Sequence, residues 1–242
     1  VMSAMIDASS NEVYSTTLNL PSMESTQIIK SLKTAFPGYP VDLLNDTACY
    51  SYAEKVYGNI KEKNFAFLNF GRGIGATLFT EGSMLGTASG SFTQFGHYSI
   101  DRNGPECPCG NRGCLDTVVA ENRLVQLLSV THGNMTLDDL VSFANEGDPG
   151  CRRIIADAAV RIGQVAADLC ISVDPEVIVL GGKLAMTGDV FIQPFNEALQ
   201  RMLFPDAVAP IDVLVSSHPD DNCALGGALC AIEFSVRNDV SQ

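Results

Sequence analysis

Between positions 96 and 114 the chain places Gly96-His97, Cys107-Pro108-Cys109-Gly110 and Gly113-Cys114, which puts three cysteines and a histidine within eighteen residues. No other feature restricts the fold as strongly. Three thiolates and one imidazole complete a tetrahedral zinc shell with no open position, so such an ion is structural and not a catalyst. The pattern Cys-x-Cys-Gly-x-x-Gly-Cys can wrap three sulfurs around one ion, because its glycines let the backbone double back where a Cβ would clash. No fourth cysteine is close in sequence, so His97 is the natural fourth ligand beside Cys107, Cys109 and Cys114. A pair of disulfides and free core thiols are the alternatives for the same residues.

The other cysteines, Cys49, Cys151, Cys170, Cys223 and Cys230, stand singly in apolar stretches of helical pattern. They read as reduced core residues of a cytoplasmic protein. The length of 242 residues is enough for one large domain or two modest ones, and 46% hydrophobic residues predict a globular chain. A net charge of -13 argues against this chain gripping nucleic acid by itself, since phosphate binding needs a basic face. No apolar run reaches membrane-spanning length, and no signal-peptide pattern is present.

Strand and helix patterns alternate, which predicts an α/β fold. Residues 25–36 read as an amphipathic helix stopped by Pro37-Gly38. Residues 41–44 read as a short buried strand, followed by a helix over 48–56. Strands are predicted over 65–70 and 76–80, with the glycine-rich Gly71 to Gly75 between them and a third strand after Glu81-Gly82. Helices are predicted over 118–129 and 137–145, and a long one of about twenty residues starting at Asp148-Pro149 and ending near Ile171. An all-apolar strand over 177–180 precedes Gly181-Gly182. A helix over 190–202, a strand over 211–215 and a closing helix over 224–234 complete the chain.

Several residues stand where chemistry happens in α/β proteins, beyond the carboxyl ends of strands. Asp46 can accept a proton from a hydroxyl and Asn45 can hold a neighbouring one; plain helix capping is the competing role for this pair. Gly71, Gly73 and Gly75 can cradle phosphate with free amides, or simply close a hairpin. Gly181 and Gly182 can admit a nucleotide close to the backbone, or make a tight turn. His132 and His218 have no partner nearby in sequence and read as surface or loop histidines.

Taken together these pieces resemble the ROK family of repressors and sugar kinases. The resemblance is carried, in family order, by Asn45-Asp46, Gly71-x-Gly73-Ile74-Gly75, Gly96-His97, the cysteine motif through Cys114-Leu115, and the run from Asp174-Pro175 to Gly181-Gly182. It implies an α/β, actin-like (RNase H-like, ASKHA) fold: two lobes with a sugar in the cleft between them, and a structural zinc loop. Residues 1–58 would be the remainder of the first lobe, joined by the helix at 224–242. Residues 59–223 would form the second lobe, with the zinc loop and an oligomerisation surface. The family also implies a dimer or tetramer. In family kinases the residue matching Asp46 is the general base, the one matching Asn45 binds sugar, and the histidine matching His97 lies beside the sugar as well as on the zinc.

This chain departs from the pattern at several points. The family's Ala-Gly-Glu-x-Gly-His becomes Thr93-Gln94-Phe95-Gly96-His97 at its end, so Gln94 replaces a glutamate that binds two sugar hydroxyls. A neutral acceptor holds a hydroxyl about half as strongly as a charged one. The glutamate that follows Gly-Cys-Leu in the family is Asp116 here, and Arg72 stands where kinases commonly have threonine. The kinases' opening Asp-x-Gly-x-Thr, which holds magnesium and phosphate, does not occur in these residues, and Val1 to Asp7 matches a point inside the first lobe. The expectation is a sugar-responsive regulator whose DNA contacts lie in an upstream domain absent from this chain, with Asn45, Asp46, Gln94, His97 and Asp116 on the sugar. The alternative is an ATP- and Mg2+-dependent sugar kinase with Asp46 as base and Gly71, Gly73, Gly75, Gly181 and Gly182 on the nucleotide. A degenerate sugar-binding module that neither binds DNA nor phosphorylates is the third reading.

Overall fold

A computed structural model describes residues 4–7, 12–16, 25–58, 60–71, 73–85, 94–203, 210–217 and 222–240. Its centre is the strand β3 (Phe65–Phe70), reached after the short antiparallel pair β1 (Ala4–Asp7) and β2 (Glu12–Thr16) and the helices α1 (Ser25–Ala35) and α2 (Asp46–Tyr57). β3 pairs antiparallel with β4 (Ile74–Thr80), which pairs in turn with β5 (Ser83–Met84). On its other side β3 runs parallel to β6 (Val177–Gly182), and β6 runs parallel to β7 (Asp212–Val215). The result is a mixed five-stranded sheet in the order β5-β4-β3-β6-β7.

Successive side chains of a strand point to opposite faces, and here both faces are buried. Ala66, Leu68 and Phe70 of β3 share one core with Ile178 and Leu180 of β6. That core is closed by α6 (Pro149–Val173) and α7 (Asp189–Met202), through Ile155, Ile162, Phe191, Phe195 and Leu199. The alternate residues Phe65 and Phe67 meet Phe79, Val177 and Val179 on the opposite face, where Tyr50 and Tyr52 of α2 pack over them. Burying each Phe or Leu is worth about 1.5–3 kcal/mol, so a strand with large apolar groups on both faces is held from both sides. This is why 177–180 is an uninterrupted apolar run and 65–70 is apolar but for Asn69.

The helices between the strands are α3 (Leu115–Val119), α4 (Glu121–His132) and α5 (Leu137–Glu146). α5 opens on a capping box between Thr136 and Asp139, and α6 opens with Asp148 accepting from the Cys151 N–H and Pro149 in the first turn, as the sequence predicts. The closing helix α8 (Asn222–Val240) lies along α2, and a Cβ on Gly226 would overlap the Cys49 carbonyl.

Three expectations are corrected. Residues 41–44 form no strand ladder among the described residues. Leu43 is buried, and Asn45, extended and a single bridge residue, caps α2 two residues later. The helix expected over 118–129 is two helices. Ala120 is extended between them, and that break lets the Glu121 N–H reach the Gly71 carbonyl at 3.3 Å. The cysteines are all free thiols, yet Cys49, Cys223 and Cys230 are not solitary: the α2–α8 contact gathers their thiols into one hydrogen-bonded group. Arg72 and His218 lie outside the described residues. Among the described residues no helix is long and apolar enough to cross a membrane.

Glu54 locks α2 to the far strand. Its carboxylate is buried and accepts from Ser216 Oγ at 2.7 Å and from the Ser217 N–H and Oγ, each at 3.1 Å. Removing a buried acceptor leaves its donors unpaired, so Glu54→Ala should destabilise the fold by about 3 kcal/mol. Glu54→Gln, which keeps one acceptor oxygen, should cost about half as much. Guanidinium melts of the two variants check this, and an unchanged midpoint in Glu54→Ala refutes it.

Candidate functional site

The cysteine motif folds as a compact loop pinned by its own backbone. Cys107 N–H donates to the Asn111 carbonyl at 2.8 Å, Gly110 N–H to Cys107 at 2.9 Å, and Gly113 N–H to Pro105 at 2.7 Å. Single bridges Ser99–Cys114 and Glu106–Arg112 close its two ends. The loop brings His97, Cys107, Cys109 and Cys114 together, with one donor atom of each within 4.8 Å of the others. Cys107 Sγ is 3.5 Å from His97 Nδ1, and Cys109 Sγ is 3.6 Å from Cys114 Sγ. Ligands at ordinary zinc–sulfur and zinc–nitrogen lengths in a tetrahedron lie about 3.8 Å (S to S) and about 3.6 Å (S to N) apart. Donor set and spacing therefore both fit zinc.

The electrostatics point the same way. Burial, reinforced by the neighbouring thiols, pushes the Cys114 thiol up to about 12, and burial likewise raises Cys107. Cys109 is exposed; desolvation acts to raise its thiol, but hydrogen bonding from the Asn111 backbone and the two other thiols together outweighs that and lowers it. Three sulfurs packed this closely cannot all ionise unless a cation joins them.

Immediately after the loop, Asp116 ties this cluster to the sheet. Its Oδ1 accepts from the Ile74 N–H, the first residue of β4, at 2.9 Å. Burial raises the Asp116 carboxyl, while the Ile74 N–H and the nearby charge of His97 oppose that rise. Gly96 lies directly against the Asp116 carboxylate, and Gly73 faces its other oxygen at van der Waals distance. Gln94 precedes the short 3-10 turn Phe95–His97, and its carbonyl accepts from the His97 N–H at 2.9 Å.

α2 arrives at the same strand from the other side. Asn45, not Asp46, is its N-cap: Asn45 Oδ1 accepts from the Ala48 N–H at 3.3 Å. Asp46 is the first helical residue, with Oδ1 on the Thr47 N–H at 2.8 Å. Both side chains stay partly exposed. The buried Thr47 sits so close to Gly75 that a Cβ there would overlap its side chain. A continuous path of contacts thus runs from Asn45-Asp46 through Thr47, Gly75, Ile74 and Asp116 to His97 and the thiols. The structure brings these predicted residues together at one end of β3 and β4.

The glycine turns belong to that end too. Gly71 and Gly73 lie in the β3–β4 hairpin turn, where the Gly71 N–H meets the Gly73 carbonyl at 3.2 Å, and nothing crowds Gly71. Gly181 and Gly182 end β6 beside Asn69 and Phe70. There the sheet itself demands glycine: Gly182 has φ 86°, and a Cβ would overlap the Phe70 backbone. Thr47, Glu54 and the Ser216-Ser217 pair escape sequence reasoning. Thr47 has no signal beyond its place after Asn45-Asp46, and the Glu54–Ser216 contact spans 162 positions.

Comparison with known proteins bears on this arrangement. The DNA-binding transcriptional repressor Mlc of Escherichia coli is 25% identical over 203 residues, covering 79% of this chain and 50% of that protein. A glucokinase of Thermotoga maritima is 26% identical over 207 residues, covering 79% of this chain and 65% of that protein. The chain thus spans about half to two thirds of the length of these curated relatives. The crystal structure of a ROK family glucokinase from Streptomyces griseus, in complex with glucose and AMPPNP, superposes with a TM-score of 0.80 at 20% identity, over 93% of this chain and 77% of that one. The fold is therefore the actin-like sugar-kinase fold. Repressors and sugar kinases both stand among the relatives. Over residues 1–233 the sequence matches the ROK family, and with the cysteine loop, the Asn45-Asp46 cap and the glycine turns gathered at one sheet end, the chain belongs to that family.

Proposed function

We propose that this chain is the sugar-binding and oligomerisation part of a carbohydrate-responsive transcriptional regulator. One observation carries the reading: Gln94 leads into the turn that presents His97, at the point where the family's pattern has a sugar-binding glutamate. An amide in that place keeps hydrogen bonds to a hydroxyl but loses the charge that holds it firmly oriented. A sensor needs affinity and a change of shape. A phosphoryl-transfer enzyme needs the attacking hydroxyl fixed in line.

In this reading Asn45, Asp46, Gln94, His97 and Asp116 meet the sugar. Zinc held by His97, Cys107, Cys109 and Cys114 supplies no chemistry; it fixes the His97 ring as one wall of the sugar site. The acidic surface, net charge -13, suits a chain that leaves DNA contact to another segment of the protein. Self-association into a dimer or tetramer would then pair the DNA-binding segments. Similarity to Mlc and to xylose repressors supports this assignment.

A sugar kinase is the second reading, favoured by the placement of Asp46 at a helix start beside a sheet end that also carries Gly71, Gly73, Gly181 and Gly182. There Asp46 would take the proton of the attacking hydroxyl, ATP and Mg2+ being supplied as cosubstrate. The similarity to glucokinases supports it.

The full-length protein, incubated with ATP, magnesium and a panel of hexoses and N-acetylhexosamines, should show sugar binding by calorimetry and no turnover. Asp46→Ala should weaken that binding at least about tenfold, the loss expected for a charge-assisted hydrogen bond. Turnover that vanishes in Asp46→Asn overturns the regulator in favour of the kinase. For the metal, Cys109→Ser with Cys114→Ser should remove the equivalent of zinc held by this loop and lower sugar affinity by a similar factor, because His97 loses its anchor. Elemental analysis and calorimetry on the same preparation check both, and undiminished sugar affinity in the zinc-free variant breaks the proposed coupling.

A further inference from the structure

A second cluster of metal-ligating side chains lies away from the sugar site, where α4 ends and α6 begins. His132 closes α4, Asp148 is the N-cap of α6, and Cys151 stands in the first turn of that helix. One donor atom from each lies within 4.8 Å of the other two.

The surroundings of His132 fix its ring. The ring stacks on Phe143, with centroids 5.4 Å apart. Nδ1 is 2.7 Å from Thr131 Oγ1. On the other side Nε2 faces Asp148 Oδ2 at 3.6 Å, while Asp148 Oδ1 accepts from the Cys151 N–H at 2.8 Å.

At 3.6 Å the Nε2–Oδ2 pair is longer than a charge-assisted hydrogen bond, about 2.7–2.9 Å. Nitrogen and oxygen ligands on one tetrahedral zinc are about 3.4 Å apart, so the spacing has room for an ion. Cys151 is fully buried beside them, while the side chains of His132 and Asp148 are 25% and 33% exposed, which leaves a way in for the ion and for a water as fourth ligand.

We propose that His132, Asp148 and Cys151 form a second cation site, for zinc or a zinc-like divalent ion. A thiolate and an imidazole select borderline-soft metals over magnesium or calcium. The thiolate and the carboxylate together cancel the two charges of the ion, so the site is neutral when filled. On binding, Cys151 gives its thiol proton to solvent and its sulfur to the metal. The ion would cross-link the end of α4 to the start of α6 and so close the turn of chain that carries α5. With three protein ligands in place of four, it should exchange faster than the ion of the Cys107 loop.

Cobalt(II) titration of the metal-stripped full chain tests this, with absorbance and elemental analysis as readouts. The expected result is two equivalents: one with strong charge-transfer bands from three thiolates, and one with a weaker band from a single thiolate. Cys151→Ser and His132→Gln should each reduce the total to one and abolish only the weaker band. Cys109→Ser with Cys114→Ser should abolish only the stronger one. Added zinc should raise the melting temperature of the native chain and, in Cys151→Ser, lose the later part of that rise. One equivalent in the native chain, or two that persist in both single variants, overturns the proposal and leaves an ordinary His132–Asp148 ion pair. Should the Cys109/Cys114 variant fail to fold, the comparison of the native chain with His132→Gln decides the matter alone.

Discussion

One hydrogen bond joins the two halves of the candidate site: the Ile74 N–H donating to the Asp116 carboxylate. Ile74 opens the strand that pairs with β3, and Asp116 stands two residues after Cys114, the last cysteine of the loop. The loop is mostly polar, with Ile100 packed on the core, so polar contacts carry much of its docking. Backbone hydrogen bonds close the loop on itself, and Asp116 fastens the closed loop to the sheet. Gly96 must stay small beside that carboxylate, because a Cβ there would occupy its place.

The second mechanical link lies on the opposite face. α2 begins with the Asn45-Asp46 pair and ends near Glu54, whose carboxylate holds Ser216 and Ser217 just beyond β7. Between these ends the helix packs with Tyr50 and Tyr52 on the sheet and with Cys49 against α8. A rigid helix clamped at its far end carries any displacement of its first turn to the clamp, since packed elements shift as units and do not deform continuously.

Local rules made much of this legible in the sequence. β3 and β6 are apolar runs because both their faces are covered, and α6 announces itself through Asp148 and Pro149. The ligands of the loop are readable because their spacing is short and their residue types are restrictive. What sequence reasoning misses is set by contacts between distant segments. The break at Ala120 exists because the Glu121 N–H serves a carbonyl fifty positions earlier. Cys49, Cys223 and Cys230 look isolated until α8 is laid on α2, and His132 looks isolated until the α5 turn returns the chain to Asp148. In each case the partner is fixed by packing, which no local period encodes.

The arrangement also explains why regulators and kinases can share so much of one chain. Everything from Asn45 to the thiols is a positioning device: a capped helix, a strand start, a buried carboxylate and a closed loop holding one histidine. Such a device serves binding equally well whether or not phosphate is then transferred. Transfer adds demands of a different kind, chiefly charge placed against the developing phosphoryl oxygens and a hydroxyl held in line. Those demands fall on few residues, so in the regulator reading proposed above a glutamine at position 94 would change the outcome while leaving the frame intact. The sheet glycines make the same point from the other side. Gly75 and Gly182 are required by the packing of Thr47 and Phe70 alone, so their presence says nothing about a nucleotide. Gly71, which nothing crowds, and Gly73, whose nearest neighbour lies at ordinary van der Waals distance, are the glycines of this turn that packing leaves unexplained.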